Sequence, residues 1–127
     1  MERESVGREL LDAAFKVHSA LGPGLLESAY EACLEYELSN RNVLVRRQVV
    51  QPVSYQGITI DSGYRLDLLL EDQVVVEIKS IKAIESVHEA QLLSYLKLGG
   101  YQLGYLLNFN VRRMKDGIKR MVNNLRP

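Results

Sequence analysis

Apolar residues recur at intervals of three and four over residues 5–21, where Val6, Leu10, Ala14, Val17 and Leu21 share one helix face. Ser5 is placed to cap the start of that helix. Gly22-Pro23-Gly24 stops it, since neither residue type supports a helix interior. A second helix is predicted over residues 25–39, with Leu26, Ala29, Tyr30, Cys33 and Leu34 on its buried side. The pattern then changes. Residues 43–55 are rich in β-branched side chains and contain Pro52, which predicts an edge strand or a bulge. Gln56-Gly57 reads as a turn, and residues 58–70 as a second strand bent at Ser62-Gly63. Residues 74–79 form a third strand whose near-continuous apolar run predicts burial on both faces and a central position. Helical period returns over residues 86–98 and closes at Gly99-Gly100. Residues 102–108 read as a short apolar strand. Over residues 112–125, Met114, Ile118, Met121, Val122 and Leu125 form the stripe of a last helix. The predicted order is ααβββαβα: one mixed α/β domain over residues 1–127, with a mixed sheet of about four strands flanked by helices.

Composition narrows the class. With 46% hydrophobic and 25% charged residues, the chain has an ordinary globular balance. No apolar run approaches the roughly 20 residues needed to cross a bilayer. The N-terminal Met1-Glu2-Arg3-Glu4 lacks the layout of a signal peptide, so a cytoplasmic location and no membrane partner are expected. The single cysteine, Cys33, excludes an internal disulfide and a four-cysteine metal site, and its apolar face reads as core packing. No phosphate-binding G-x-x-x-x-G-K-[ST] loop is present, so no nucleotide cofactor is expected. Association into a homo-oligomer stays open.

Net charge is zero, but it is unevenly spread. From Val111 to Pro127, Arg112, Arg113, Lys115, Lys119, Arg120 and Arg126 face one acid, Asp116, which gives that segment +5 and leaves −5 on the rest. A basic end on an acidic body suits phosphate. A solvated helix face explains the same residues.

Candidate chemistry lies on the second and third strands. Alternation puts Tyr64, Leu66, Leu68 and Leu70 on one face and Arg65, Asp67 and Leu69 on the other. It also sets Glu77 and Lys79 side by side on an otherwise apolar strand, where charge is costly unless paired or bound to metal. With the turn at Glu71-Asp72-Gln73, Leu70 pairs with Val74. Asp67 then stands opposite Glu77 and Arg65 opposite Lys79, all on one face. Opposed carboxylates repel. A divalent cation between them removes the repulsion, and Lys79 adds positive charge suited to a water attacking a phosphodiester. A salt-bridged Asp–Lys–Glu cluster is the competing reading.

The spacing D-(x)9-E-I-K from Asp67 to Lys79 resembles the motif of the PD-(D/E)XK nuclease superfamily. The run Gly24-Leu25-Leu26-Glu27-Ser28-Ala29-Tyr30 resembles the signature of its GxxExxY branch, and Gln91 with Tyr95 resembles the Q-xxx-Y pattern of RecB-like exonucleases. Leu66 stands where the family name has proline. The resemblance covers residues 5–125 and implies a restriction-endonuclease-like core and a hydrolase acting on DNA with Mg²⁺ or Mn²⁺. It implies Asp67, Glu77 and the Ile78 carbonyl as metal ligands, Lys79 as the residue that positions water, and Glu27 completing the site directly or through water. Glu27 also fits a solvated stripe with Glu31 and Glu35. Gln91 and Tyr95 would face substrate, and His88, one turn earlier, reads either with them or as a satisfied helix residue. Arg112, Arg113, Lys115 and Lys119 would hold nucleic-acid phosphates. An inactive nucleic-acid-binding module and a protein-interaction domain are the alternatives.

Overall fold

The computed structural model describes residues 1–124. Helices α1 (Arg3–Leu21) and α2 (Glu27–Asn40) precede strand β1 (Val45–Val50) and the hairpin β2 (Val53–Tyr55) and β3 (Ile58–Ile60). Strands β4 (Arg65–Leu70) and β5 (Val74–Lys79), helix α3 (Ser86–Gly99), strand β6 (Leu103–Asn108), a 3₁₀ turn (Met114–Gly117) and strand β7 (Ile118–Val122) follow. Five strands make one sheet in the order β1-β4-β5-β6-β7, antiparallel except for the parallel β5–β6 pair. That pair needs a crossover, which α3 supplies. The fold is therefore the mixed α/β arrangement that the patterning implies, with β5 at the centre of the sheet.

Each face of the sheet buries its own core. Val6, Leu10, Ala14 and Val17 of α1 and Tyr30, Leu34 and Leu38 of α2 pack against Leu68, Leu70, Val74, Val76 and Ile78. On the other face, Leu92, Tyr95 and Leu96 of α3 pack against Leu66, Leu69, Val75 and Leu106. Pro52 falls just after β1, an edge strand, as a residue without an N–H requires.

The last element differs from the sequence expectation. Residues 114–122 form a 3₁₀ turn and a strand, while Leu125 and Arg126 lie outside the described residues. The apolar spacing is satisfied differently: Ile118 packs on the α1–α2 core and Met121 on the α3 core. Residues three apart on a strand face opposite ways, and here each of the two is partly buried on its own face. Gly117 lets the turn pass close against β6, where a β-carbon would collide with the Asn108 carbonyl oxygen. The open edge of β6 then captures residues 118–122 by main-chain pairing.

Smaller corrections follow from where backbone groups find partners. The first helix starts at Arg3, with Glu2 at its cap position, so Ser5 lies inside it. The second helix starts at Glu27 rather than 25, and Leu26 is 77% exposed rather than buried. The sheet has five strands because residues 118–122 join it, while the two long strand segments shed the β2–β3 hairpin at Pro52 and Ser62-Gly63.

Candidate active site

The β4–β5 hairpin turns at Glu71-Asp72-Gln73 in the expected register, with Leu70 on Val74, Leu69 on Val75 and Leu68 on Val76. The ladder stops there. The next main-chain donor, the Ile78 N–H, is taken by the Asp67 carboxylate, with Oδ2 2.7 Å away. Alternation breaks at the same point: Leu68 belongs to the α1–α2 core, while Leu66 belongs to the α3 core with Leu69. The expectation that Leu66 shares a face with Leu68 and Leu70 therefore fails. On the adjoining strand, Gln48 occupies the register position opposite Asp67, between the pairs Arg47–Leu68 and Val49–Leu66. Its φ is +52°, left-handed for a non-glycine residue, a conformation costing about 1–3 kcal/mol. Both strands thus turn together at Asp67. Arg65 pairs with Val50, and its guanidinium lies 3.6 Å from Asp61, so it does not stand opposite Lys79 as the extended ladder would require.

Glu77 is buried on the central strand at 5% exposure, and its Oε1 has no hydrogen-bond partner among the described residues. Its carboxyl is pushed up to about 9, first by burial, then by the Asp67 charge and a hydrogen bond of its protonated form to Asp67, while Lys79 pulls the other way. A buried, unsatisfied carboxylate oxygen beside a second carboxylate calls for a positive ligand. Lys79, the last residue of β5, is half-buried, and its ammonium makes no ion pair or hydrogen bond among the described residues. Asn108, in register with Lys79 and 2% exposed, accepts from the Ile81 N–H at 3.2 Å and donates to the Ile81 carbonyl at 3.0 Å. This ties the chain leaving Lys79 to the end of β6.

The segment before α2 docks on the same end of β5. Glu27 Oε2 accepts from the Ser80 N–H at 3.0 Å, and the Ser80 hydroxyl donates to the Leu25 carbonyl at 2.7 Å. Gly24 has φ +99°, which favours glycine. The Tyr30 hydroxyl donates to the Gly22 carbonyl at 2.6 Å and accepts from the Leu25 N–H at 3.1 Å, with its ring stacked on Phe109 at 4.4 Å. The glycine shapes the loop, the glutamate reaches the strand and the tyrosine ties the two. Tyr30→Phe leaves two backbone groups of that loop without their partner, and urea denaturation is expected to show a loss of about 1–3 kcal/mol.

Glu27 is exposed, but the next two glutamates of that α2 stripe are not simply solvated. Glu31 is 6% exposed and lies 2.9 Å from an Arg47 guanidinium nitrogen, and Glu35 lies 3.4 Å from another. Gln48 Nε2 donates to Glu31 Oε1 at 2.7 Å and reaches Asp67 Oδ1 at 3.5 Å. The one-dimensional pattern does not mark Glu31 or Gln48 for the site. The only signals it offers are a second glutamate one turn after Glu27 and a lone amide in a β-branched run.

On α3, Tyr95 is 7% exposed, with its ring 5.7 Å from that of Tyr64. Its phenol is pushed up by burial first and then by the charge of Glu77, so it lies within electrostatic reach of the carboxylates. Gln91 is exposed one turn earlier and makes no side-chain hydrogen bond among the described residues. His88 caps the helix, its Nδ1 accepting the Glu85 N–H at 2.8 Å. The four expected phosphate-binding cations do not form one stripe. Arg112, Arg113 and Lys115 line a cleft against the end of α1, whereas Lys119 lies on the α3 side, 3.6 Å from Glu89. Among the described residues no three His, Cys, Asp or Glu side chains converge as a metal cluster.

A family model of the PD-(D/E)XK nuclease superfamily matches residues 4–121, and the chain belongs to that superfamily. The crystal structure of SSO0001 has a similar fold, with a TM-score of 0.57 and 24% identity over 97% of this chain. The match covers 61% of that longer chain. No curated protein matches the sequence. None of the described helices is long and apolar enough to cross a membrane.

Proposed function

We propose that this protein is a Mg²⁺- or Mn²⁺-dependent nuclease that hydrolyses DNA phosphodiester bonds at the C-terminal end of β5. The observation that carries this reading is the orphaned Glu77 Oε1, buried beside Asp67 on the central strand. That donor set fits a hard divalent cation, since Mg²⁺ commonly uses one or two carboxylates and completes its shell with water and substrate phosphate. Asp67, Glu77 and the Ile78 carbonyl are the proposed ligands, with Glu27 contributing through water. The cation would supply Lewis-acid stabilisation of charge on the phosphoryl oxygens.

The chain's own groups do the rest. Lys79 orients the attacking water and meets charge developing on the phosphate. Gln48, held by Glu31, fixes the Asp67 carboxylate. Gln91 and Tyr95 face the substrate from α3. Arg112, Arg113, Lys115 and Lys119 hold the nucleic-acid backbone. The superfamily supports a nuclease acting on nucleic acid; DNA, the particular metal and a cytoplasmic location are part of this proposal.

The test is cleavage of single-stranded, duplex and branched DNA with Mg²⁺ and with Mn²⁺, alongside calorimetric titration of Mn²⁺. Wild type is expected to bind the ion and cleave. Asp67→Asn is expected to lose both while keeping its circular dichroism spectrum. Unfolding of Asp67→Asn would favour a structural ionic cluster, and ion binding without cleavage a binding module.

A further inference from the structure

Several cations of this protein are neutralised by its own acids: Arg41 by Glu9, Arg46 by Asp72, Arg47 by Glu31, Arg120 by Glu4 and Lys119 by Glu89. Arg112, Arg113 and Lys115 are exceptions. Their side chains are exposed and make no ion pair or hydrogen bond among the described residues, yet all three line one cleft of about 530 Å³. The opposite wall is one face of α1 and the loop after it, with Phe15, His18, Ser19, Gly22 and Pro23. Among the described residues no acid lines the cleft, and Asp116 of the same segment is not part of it. His18 fixes the two walls together, its Nε2 2.8 Å from the Val111 carbonyl oxygen. Phe15 is 41% exposed, an aromatic ring left open to solvent among cations.

The cleft and the candidate active site lie at the same end of the sheet. β5 and β6 are parallel, with Lys79 in register with Asn108, and Arg112 follows Asn108 by four residues. Gly22 and Pro23 line the cleft, while Leu25 and Glu27 of the same loop bond to Ser80, next to Lys79. Two residues of chain, at most about 7 Å, separate Pro23 from Leu25. At about 3.4 Å of stacked rise per nucleotide, that stretch of chain spans about two nucleotides.

We infer that this cleft binds an unpaired nucleotide of a single-stranded segment beside the scissile bond, with its phosphates on Arg112, Arg113 and Lys115 and its base on Phe15. The inference rests on the nuclease reading for its role, but not for the binding itself. Unneutralised cations around an exposed aromatic ring are the features that hold single strands, because every base offers a π-face and every phosphate a charge. A duplex presents phosphates to the rim, but its paired bases cannot reach Phe15 within the cleft. Three cations with no acid among them favour a polyanion; an acidic protein segment is the other polyanion to be tested.

The experiment measures fluorescence anisotropy of a labelled 20-nucleotide oligothymidine and of a blunt 20-base-pair duplex with the full chain in EDTA, where no cleavage intervenes. The combined variant R112Q/R113Q/K115Q is expected to bind the single strand tenfold or more weakly. Its slope of log affinity against log salt should fall by about 2, three contacts at about 0.7 each. Phe15→Leu keeps the apolar volume without the ring; it is expected to weaken single-strand binding about fivefold or more and leave the duplex within twofold. Lys97→Gln removes from α3 an exposed cation with no ion pair among the described residues, and is expected to change nothing. Equal effects of Lys97→Gln and the triple variant, or unchanged single-strand binding in Phe15→Leu, would overturn the inference. So would polyglutamate displacing oligothymidine as effectively as unlabelled oligothymidine does. If wild type cleaves and the triple variant binds normally, only the cleft assignment fails. If wild type cleaves nothing with either metal but these affinities behave as expected, only the nuclease reading fails.

Discussion

Lys79→Ala is expected to lower DNA cleavage by about 10²-fold or more, the scale of one lost electrostatic catalytic group, with little change in metal or DNA affinity. The expectation follows from where Lys79 stands. It ends β5, next but one to Glu77, and its ammonium is not consumed by an ion pair among the described residues. The strand is pinned on both sides, by pairing to β6 and by Asp67 on the Ile78 N–H. Asn108 and Glu27 hold the chain that follows it. The charge is therefore presented from a fixed backbone rather than a mobile loop. Its interaction with a phosphodiester strengthens as charge develops, so its loss falls on turnover rather than on binding. Lys79→Arg is expected to rescue poorly, because a planar guanidinium does not occupy the place of a compact ammonium. Single-turnover kinetics with calorimetric titration of Mn²⁺ separate the two quantities. Wild-type cleavage by Lys79→Ala would assign the activity to other residues.

Glu77→Gln is expected to stabilise the metal-free protein and abolish its stabilisation by Mn²⁺. The Glu77 carboxyl sits at about 9 in the fold against an ordinary 4.5. A group whose folded pKa is raised lends its stability below the unfolded value, here about pH 4.5, and loses it progressively up to the folded value near pH 9. The metal-free wild type should therefore become less stable across that window, by a few kcal/mol as an order of magnitude, since each tenfold change in proton affinity is worth about 1.4 kcal/mol. Gln has no charge to bury, so the variant should show a flatter profile and a higher midpoint at about pH 8. A cation competes with the proton for Glu77, so the Mn²⁺-induced rise in Tm should be larger at about pH 8 than at about pH 6. Thermal melts with Mn²⁺ and with EDTA at both pH values, on wild type and Glu77→Gln, measure all of this. A Glu77→Gln protein as responsive to Mn²⁺ as wild type would move the metal away from Glu77.

The local patterns made much of the fold legible. Helix period, the Gly22-Pro23-Gly24 stop and the apolar run of β5 each act through neighbours in the chain, so they survive in a one-dimensional reading. The hairpin register was legible too, because a slip of one residue would put the wrong side chains on the buried faces. That was sufficient to juxtapose Asp67 and Glu77. It did not extend to Arg65, since the ladder ends at Leu68 and both strands turn at Gln48 and Asp67.

Short-range patterning thus accounts for the candidate carboxylate pair, the lysine that ends β5 and the helix stop that shapes the Gly24 loop. Three features arise instead from long-range packing. Residues 118–122 became a strand because β6 offered an unpaired edge and two cores received Ile118 and Met121 from opposite faces. Glu31, Gln48 and Asn108 gained their positions from partners 17, 19 and 27 residues away, contacts that no periodicity encodes. The described basic residues near the C-terminal end were split between Glu89, Glu4 and the cleft beside α1, because a strand sends neighbouring side chains to opposite faces and the preceding loop crosses the end of the sheet.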